Sequence, residues 1–247
     1  MNARIDEIAT DLYRICLYVP AFDLQFNHFL VRDDEPLLFH TGMRGMFPAV
    51  REAVATLIDP AELRWISWSH FEVDECGALN EWLAAAPRAT PVCGALGAMI
   101  NIADFSNRAP RGLAADEILI TGRHRFRFVP TPHLPHGWDA GVLFDETDRV
   151  LLCSDLLHQL GDVEPVTSGD ITDRYRHALQ TYQQSPVLMD YVPYTDNTRR
   201  QLARLADLRP QTLAAMHGST FVGDGASMLL ASAEVIRSVS GDPVASR

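Results

Sequence analysis

The sequence predicts an α/β sandwich in which two β-sheets pack face to face and helices cover their outer surfaces. β-hairpins interrupted by helical segments occur in both halves of the chain, which is the pattern such a sandwich requires. Hydrophobic residues make up 47% of the sequence, enough for a sizeable core. No GxGxxG motif follows the first predicted strand, which argues against a Rossmann fold. Because the sequence has no internal repeat and no linker-like stretch, we expect one domain over residues 1–247.

The predicted strands are short apolar or β-branched runs. In chain order they are Leu12–Val19, Gln25–Arg32, Pro36–Phe39, Arg64–Trp68, Thr90–Cys93, Glu117–Thr121, Arg123–Val129, Ala140–Phe144, Arg149–Cys153 and Thr212–Met216. The segment Asp33–Pro36 between the second and third strands is rich in turn-forming residues and is expected to form a hairpin turn.

The predicted helices combine apolar residues at helical spacing with stop signals at their ends. They are Ala49–Ile58, Gly77–Ala85, Ala95–Phe105, Asp170–Gln183, Thr195–Leu208 and Gly225–Val239. Pro60 and Pro87 end the first two, because proline cannot continue a helix.

Composition and charge exclude several classes of function. The net charge of -11 and the pI of about 5.2 argue against non-specific binding to nucleic acid, which needs a basic surface. The N-terminal residues lack a basic start and a long apolar run, and no stretch reaches the length of a membrane span, so we expect neither a signal peptide nor a membrane protein. Four scattered cysteines without a CxxC pair fit a reducing compartment, and we expect a cytoplasmic protein.

Four metal-capable side chains lie in the segment His70–Glu75, directly after a predicted strand. In an extended chain alternate side chains point the same way, so His70, Glu72 and Asp74 can converge. Glu75 can join them only if the chain turns, as it must if a helix begins at Cys76. The alternative is an acidic turn whose carboxylates stabilise the N-terminus of that helix.

Three further candidate ligands, His133, Asp155 and His217, each follow a predicted strand. Strand ends that lead into turns form a shared rim, on which ligand sites are commonly built. His136 lies in the same loop as His133 and is the less favoured ligand, since loop histidines are more often exposed. His158 is expected on the surface or at a dimer contact.

The order HxExDE, followed by His133, Asp155 and His217, resembles the binuclear metallo-β-lactamase superfamily. Within it, the sequence is most similar to the di-iron domain of flavodiiron proteins and to stand-alone oxygen-binding di-iron proteins, whose first motif is HxExDH. The segments that carry the resemblance are Phe26–Val31, Ser69–Asp74, Pro132–Asp139 and Leu152–Leu157. The resemblance implies a metallo-β-lactamase-type αββα sandwich of two mixed sheets, with helices outside and the ligands at one edge.

The resemblance also implies which residues bind each metal. One metal would take His70, Glu72 and His133. The second would take Asp74, the residue at position 75 and His217. Asp155 would bridge the two. Glu75 departs from the family, which has histidine at that position, so Glu75 either replaces the imidazole as a ligand or turns away and leaves the second metal weakly held.

The chemistry of the seven candidate ligands favours iron over zinc. Three histidines and four carboxylates are harder ligands than those of imidazole-rich zinc sites, and they suit iron or manganese. Four carboxylates also balance the charge of two divalent ions, whereas without metals they would repel one another. We therefore expect two metal ions, iron first, with manganese and zinc as alternatives.

The resemblance implies a non-haem di-iron protein that binds or reduces a small diatomic, oxygen or nitric oxide. Flavodiiron proteins continue into a flavodoxin-like module that this sequence does not show, so we expect no flavin in it and either a separate redox partner or a role as an oxygen carrier or sensor. A homodimer is expected by resemblance only. The alternative is a metal-dependent hydrolase that uses a metal-bound hydroxide on an ester, thioester, lactone or phosphodiester. Glu72 stands against it, because hydrolases of this superfamily carry histidine there. An oxidoreductase-type enzyme is therefore favoured over a hydrolase, and a scaffold with a vestigial site is least favoured.

Overall fold

The first β-sheet contains seven strands in the order of the sequence. In the computed structural model, which describes residues 2–241, they are β1 (Arg4–Ala9), β2 (Leu12–Val19), β3 (Leu24–Val31), β4 (Leu37–Phe39), β5 (Trp65–Ser67), β6 (Thr90–Gly94) and β7 (Arg111–Leu113). The strands β1 to β4 form an antiparallel meander, and β4 to β7 run parallel. The parallel strands are joined by helical crossovers, as parallel pairs require.

The second sheet also has seven strands and is mixed. Its strands are β8 (Ile118–Ile120), β9 (Arg125–Pro130), β10 (Gly141–Asp145), β11 (Val150–Ser154), β12 (Val166–Thr167), β13 (Thr212–Ala215) and β14 (Thr220–Val222). They are arranged in the order β12-β14-β13-β11-β10-β9-β8. The central pair β11 and β13 is parallel, and both strands are buried along their length.

The space between the two sheets is filled by large apolar side chains from both. Phe29 and Phe39 of the first sheet belong to the same buried cluster as Phe126, Leu143 and Leu152 of the second. Burial of such side chains from water contributes about 1.5–3 kcal/mol each to folding before the entropic cost of ordering them. This cluster is the inner layer of the sandwich.

Helices cover the outer face of each sheet. They are α1 (Phe47–Ala55), α2 (Val73–Cys76), α3 (Leu79–Ala85), α4 (Ala95–Gly97), α5 (Ala103–Phe105), α6 (Thr172–Gln183), α7 (Asp196–Asp207) and α8 (Gly225–Ser240). Trp82 of α3 is buried in a cluster against the first sheet, and Leu202 of α7 is buried in another against the second. The predicted αββα sandwich of two mixed sheets is therefore confirmed. No helix between residues 2 and 241 is both long enough and apolar enough to span a bilayer.

Most predicted elements are present, with shifted ends. The strand Leu12–Val19 has the predicted bounds. The predicted helix Gly77–Ala85 is shorter and begins at Leu79, because a separate turn of helix, Val73–Cys76, precedes it. The predicted helix Ala95–Phe105 is continuous, but residues Ala98–Ile102 wind as a π-helix. The six-residue strand β1 and the short strands β7, β12 and β14 were not predicted.

The sheets bring the candidate ligands to one edge of the sandwich. The strands β5, β9, β11 and β13 all end at this edge, and each is followed by a loop or turn that carries candidate ligands. Two backbone hydrogen bonds hold the edge together across the sheets: the Gly141 amide donates to the Ser69 carbonyl (3.0 Å), and the Asn27 amide donates to the Met216 carbonyl (2.9 Å).

Candidate metal centre

The loop after β5 presents two ligand side chains in the same direction. Glu72 has an extended backbone (φ -140°, ψ 157°), and its side chain returns towards His70 two residues before it. The result is a distance of 2.9 Å from His70 Nε2 to Glu72 Oε2. The loop is fixed from outside by Asp139, whose Oδ2 accepts the Phe71 amide at 3.2 Å and the Asn101 side chain at 3.0 Å.

Four candidate ligand atoms converge in a group that we call the first half-site. They are His70 Nε2, Glu72 Oε2, His136 Nε2 and Asp155 Oδ2. All four lie within 4.8 Å of one another. His136 Nε2 is 2.9 Å from Glu72 Oε2 and 3.4 Å from Asp155 Oδ2. His70 Nε2 is 3.6 Å from Asp155 Oδ2. Two imidazoles and two carboxylates thus converge on one point.

The second half-site consists of Asp74, His217 and the other oxygen of Asp155. His217 Nε2 lies 3.2 Å from Asp155 Oδ1 and 3.5 Å from Asp74 Oδ2. His217 Nδ1 is 2.8 Å from the Gln25 carbonyl, which can only accept, so Nδ1 carries the proton. When its ring is neutral, His217 therefore directs the lone pair of Nε2 towards two carboxylate oxygens.

The strand β3 holds the His217 turn in place from the opposite sheet. The side-chain amide of Asn27 donates to the carbonyls of Ala215 (2.9 Å) and Gly218 (2.8 Å), on either side of the histidine. Asn27 is completely buried. These bonds, with the Gln25 carbonyl on the ring, leave His217 little freedom to turn away from Asp155.

The donor set fits metal ions. Metal–nitrogen and metal–oxygen bonds of such ligands are about 2.1 Å long, so two ligands on one ion lie roughly 3.0–3.4 Å apart. The donor-atom distances given above, from 2.9 to 3.6 Å, lie close to this spacing. Asp74 Oδ1 and Asp155 Oδ1 are buried and receive no hydrogen bond from any described residue. Buried carboxylate oxygens without a donor are costly, and a cation removes that cost.

The protein's own charges at this edge are strongly coupled. Burial lowers the pKa of His70, but the carboxylates of Glu75, Glu72 and Asp155 outweigh it and raise that pKa to about 10. The pKa of His217 also rises to about 10: burial opposes the rise, and Asp155 and Asp74 cause it. Hydrogen bonds from His136 and His70 lower the pKa of Glu72 to about 2. The pKa values of Glu72 and Asp155 lie below their ordinary range, so these two carboxylates are ionised and favour positive charge at the half-sites.

The structure places His136, and not His133, at the first half-site. The His133 amide donates to the Gly137 carbonyl (2.8 Å), which closes a tight turn, and His133 itself has a positive φ of 63°. The His133 side chain consequently faces solvent. His136, at the other end of the turn, projects back over His70, with ring centroids 4.5 Å apart. The expectation that His133 completes the set is replaced by His136, because the loop folds back on itself.

Glu75 lies behind the ligands instead of among them. Its side chain is completely buried, and its Oε2 accepts the Ser69 amide at 2.8 Å. Its Oε1 accepts the Ser154 hydroxyl at 2.5 Å and lies 3.8 Å from His70 Nδ1. His40 Nε2 is 3.3 Å from Oε2. Burial raises the pKa of Glu75 to about 8. Glu75 lies in the first turn of α2, whose N-cap residue is Glu72, but its oxygens accept from Ser69 and Ser154 and do not form a side-chain cap of that helix.

An aromatic group borders both half-sites on the side of α6. The Tyr191 ring lies 4.6 Å from the His136 ring, and the His158 ring lies 4.6 Å from the His217 ring. The Tyr182 hydroxyl is 2.6 Å from His158 Nε2. His158 is therefore buried, not on the surface as expected, because α6 and the segment after it cover it. The sequence offered no periodic signal for this contact, since Tyr191 lies outside regular structure.

Comparison with known proteins agrees with this architecture. Diflavin flavoprotein A 1 from Nostoc sp. is 26% identical over 220 residues, which are 80% of this chain and 35% of that protein. Rubredoxin-oxygen oxidoreductase from Megalodesulfovibrio gigas is 23% identical over 207 residues, 80% of this chain and 49% of that protein. The chain thus spans between about a third and a half of the length of these curated relatives.

Solved structures show the same fold. The structure of rubredoxin oxygen:oxidoreductase from Desulfovibrio gigas superimposes with a TM-score of 0.80 at 19% identity, covering 98% of this chain and 63% of that one. The flavodiiron protein from Giardia intestinalis gives a TM-score of 0.75 at 16% identity, covering 95% and 59%. A sequence profile described as "ODP family beta lactamase" matches residues 24–218, most of the chain. This protein therefore belongs to the ODP family of beta lactamases.

Proposed function

We propose that this chain holds a binuclear non-haem metal centre, di-iron in its working form, that binds or reduces a small diatomic such as oxygen or nitric oxide. One observation carries the proposal: the two oxygens of Asp155 face different ligand groups, Oδ2 towards His70 and His136, and Oδ1 towards His217. A carboxylate so placed can bridge two metal ions. The names of the relatives, a rubredoxin-oxygen oxidoreductase and a flavodiiron protein, support the metal and the class of substrate.

In this proposal His70, Glu72 and His136 hold one iron, Asp74 and His217 hold the other, and Asp155 bridges them. When bound, two ferrous ions supply electrons and open coordination positions for a diatomic ligand. The three carboxylates among these ligands offset most of the charge of two divalent ions. The hard oxygen donors favour iron or manganese over zinc.

The surrounding side chains exclude water and fix the ligands. The rings of Tyr191, Tyr182 and His158 cover one side of the centre with apolar surface. Asn27 and Gln25 fix the His217 turn, and Asp139 fixes the His70 loop. Such supporting contacts set the orientation of the ligands and the access of solvent. Electrons are expected to come from a separate redox partner.

Metal analysis and gas consumption test the proposal together. The protein is purified without chelator and without added metal, and iron, manganese and zinc are measured per chain. We expect about two irons per chain and, after anaerobic reduction by dithionite, one rapid uptake of oxygen or nitric oxide. Stoichiometric zinc, with hydrolysis of ester or thioester substrates and no reaction with either gas, would instead identify a metallohydrolase.

A further inference from the structure

Glu75 is the one acidic residue of the His70–Glu75 motif whose carboxylate faces away from both half-sites. Both of its oxygens are engaged elsewhere, one by the Ser69 amide and the other by the Ser154 hydroxyl. The side chain is fully buried, so it cannot reach the second half-site without breaking both bonds and moving through packed residues. Its nearest ligand is His70, with 3.8 Å between Oε1 and Nδ1.

The two half-sites therefore receive unequal numbers of protein ligands. The first has four donor atoms, from two histidines, Glu72 and Asp155 Oδ2, all within 4.8 Å of one another. The second has three, from Asp74, His217 and Asp155 Oδ1. With fewer protein ligands, a metal ion at the second half-site completes its coordination with exchangeable water or an external ligand.

The placement of Glu75 increases this difference. A carboxylate behind a metal-binding histidine orients the ring and makes it a stronger ligand, and the loss of such a partner typically weakens metal binding 10–100-fold. Here Glu75 acts on His70 mainly through Ser69: Glu75 Oε2 accepts the Ser69 amide at 2.8 Å, and the Ser69 hydroxyl lies 3.3 Å from His70 Nδ1. Glu75 Oε1, which accepts the Ser154 hydroxyl, lies 3.8 Å from the same nitrogen, on the side of the first half-site. His217 has only the Gln25 carbonyl in the corresponding position.

On the basis of the proposed metal centre, we infer that the two half-sites bind metal unequally: the first tightly, with Glu75 as a positioning residue behind His70, and the second weakly and exchangeably. Glu75 thus supports the first metal instead of binding the second. The second half-site is then the position where metal exchange and ligand entry occur. Its occupancy depends on the concentration of free metal, whereas the first half-site stays filled.

The test is an anaerobic calorimetric titration of the metal-free full chain with Fe²⁺. We expect two binding steps whose affinities differ at least tenfold. Asp74→Asn should abolish or weaken only the weaker step, and His136→Ala only the tighter one, which assigns the steps to the half-sites. Two steps of equal affinity would overturn the inference while leaving the binuclear centre intact. Absence of any binding would instead refute the proposed function.

Glu75→Gln separates a positioning role from ligation. We expect it to loosen the tighter step about 10–100-fold and to leave the weaker step unchanged. If Glu75→Gln loosens the weaker step, Glu75 is a ligand of the second metal and the inference is wrong. Circular dichroism of the metal-free variants verifies folding. If Glu75→Gln does not fold, Ser154→Ala removes one of the bonds that hold the carboxylate and should loosen the tighter step by a smaller factor. An unchanged tighter step in a folded Ser154→Ala variant would also count against the inference.

Discussion

Asp155 Oδ1 and His217 Nε2 lie 3.2 Å apart, while the other nitrogen of the same ring faces the Gln25 carbonyl at 2.8 Å. The carbonyl fixes the tautomer, so a neutral ring directs a lone pair at an ionised carboxylate. A cation or a proton must lie between them for the contact to be favourable. This relationship makes Asp155 the residue on which both half-sites depend.

Asp155→Asn is predicted to remove both metals, whereas Asp74→Asn is predicted to affect one. The amide of asparagine can offer one oxygen but not two, and it lacks the charge that bridges the pair. We expect less than one metal per Asp155→Asn chain after dialysis, and about one per Asp74→Asn chain, measured by elemental analysis. Equal losses in the two variants would contradict a bridging role for Asp155.

The two histidines of the loop after β9 are predicted to behave differently. His136→Ala should remove one metal per chain and lower the melting temperature of the loaded protein, because metal bound only by the native state stabilises it. His133→Ala is the matched control in the same loop, and its exposed side chain should leave metal content and melting temperature unchanged. Metal content and thermal unfolding of both variants decide the matter, and the reverse result would return the ligand role to His133.

Gly137→Ala is predicted to weaken metal binding without touching a ligand. Gly137 has a φ of +79°, and a Cβ there would lie 3.3 Å from the Cβ of His70. The added methyl group strains the backbone and presses on the loop that carries His70, so His136 is displaced. We expect a loss of metal affinity of at least about tenfold. Gly161→Ala, which also has a positive φ but no atom nearby, is the control and should bind metal normally.

The buried pair His124 and Asp145, at the opposite end of β9, is predicted to make stability depend on pH. Burial lowers the pKa of His124, but the Asp145 carboxylate, with 2.8 Å from Nδ1 to Oδ2, outweighs it and raises that pKa above 6.5. The pKa of Asp145 lies below 3.8: burial raises it, and the hydrogen bond from His124 more than offsets this. The Arg123 guanidinium, 3.0 Å from His124 Nε2, opposes the positive charge on the ring, but the net shift of the His124 pKa is upward, so the charged pair is favoured between these limits.

The sign of each effect follows from linkage. Because the pKa of His124 is raised in the folded state, its contribution to stability is complete below pH 6.5 and is lost as pH rises through the folded-state pKa. Because the pKa of Asp145 is lowered, its contribution is complete above pH 3.8 and is lost as pH falls through the folded-state pKa. His124→Asn keeps a neutral donor near Nδ1 but no charge. With EDTA present, we expect the His124→Asn variant to be less stable than the wild type by roughly 1–2 kcal/mol near pH 5–6. This corresponds to a melting temperature lower by a few degrees. The difference should be smaller at alkaline pH. The exposed His177→Asn is the control, and a pH-independent difference for His124→Asn would contradict the charged pair.

The sequence alone predicted the layers and most of the side chains that the two half-sites bring together, because those signals are local. The strand Leu12–Val19 is an apolar and aromatic run interrupted only by Arg14, and His70 and Glu72 follow a strand at the alternating spacing of extended chain. The missed strands β7, β12 and β14 contain two or three residues each, too few to show a period. Their pairing is fixed by neighbouring strands and not by their own sequence.

The assignment between His133 and His136 depended on a tertiary turn. Both histidines follow a proline or a Pro-containing run in the same loop, and spacing cannot distinguish them. The one local signal was Gly137, directly after His136, because a glycine with positive φ permits the tight turn that points His136 inward. Glu75 could not be placed from sequence, since its partners Ser69 and Ser154 are brought together by two different sheets.

The hydrogen bonds from Asn27 of β3 to the turn around His217 affect the order in which the donor atoms come together as the chain is synthesised. Asn27 and the Ala215 carbonyl are 188 positions apart in sequence, so this contact closes a very long loop and is disfavoured until the rest of the sandwich exists. During vectorial synthesis from the N-terminus, the donors of the first half-site emerge before residue 215, and His217 joins only after almost the whole chain has been made. A nascent chain can therefore bring the donors of the first half-site together first. The second half-site is complete only when the C-terminal β-strands have reached their places.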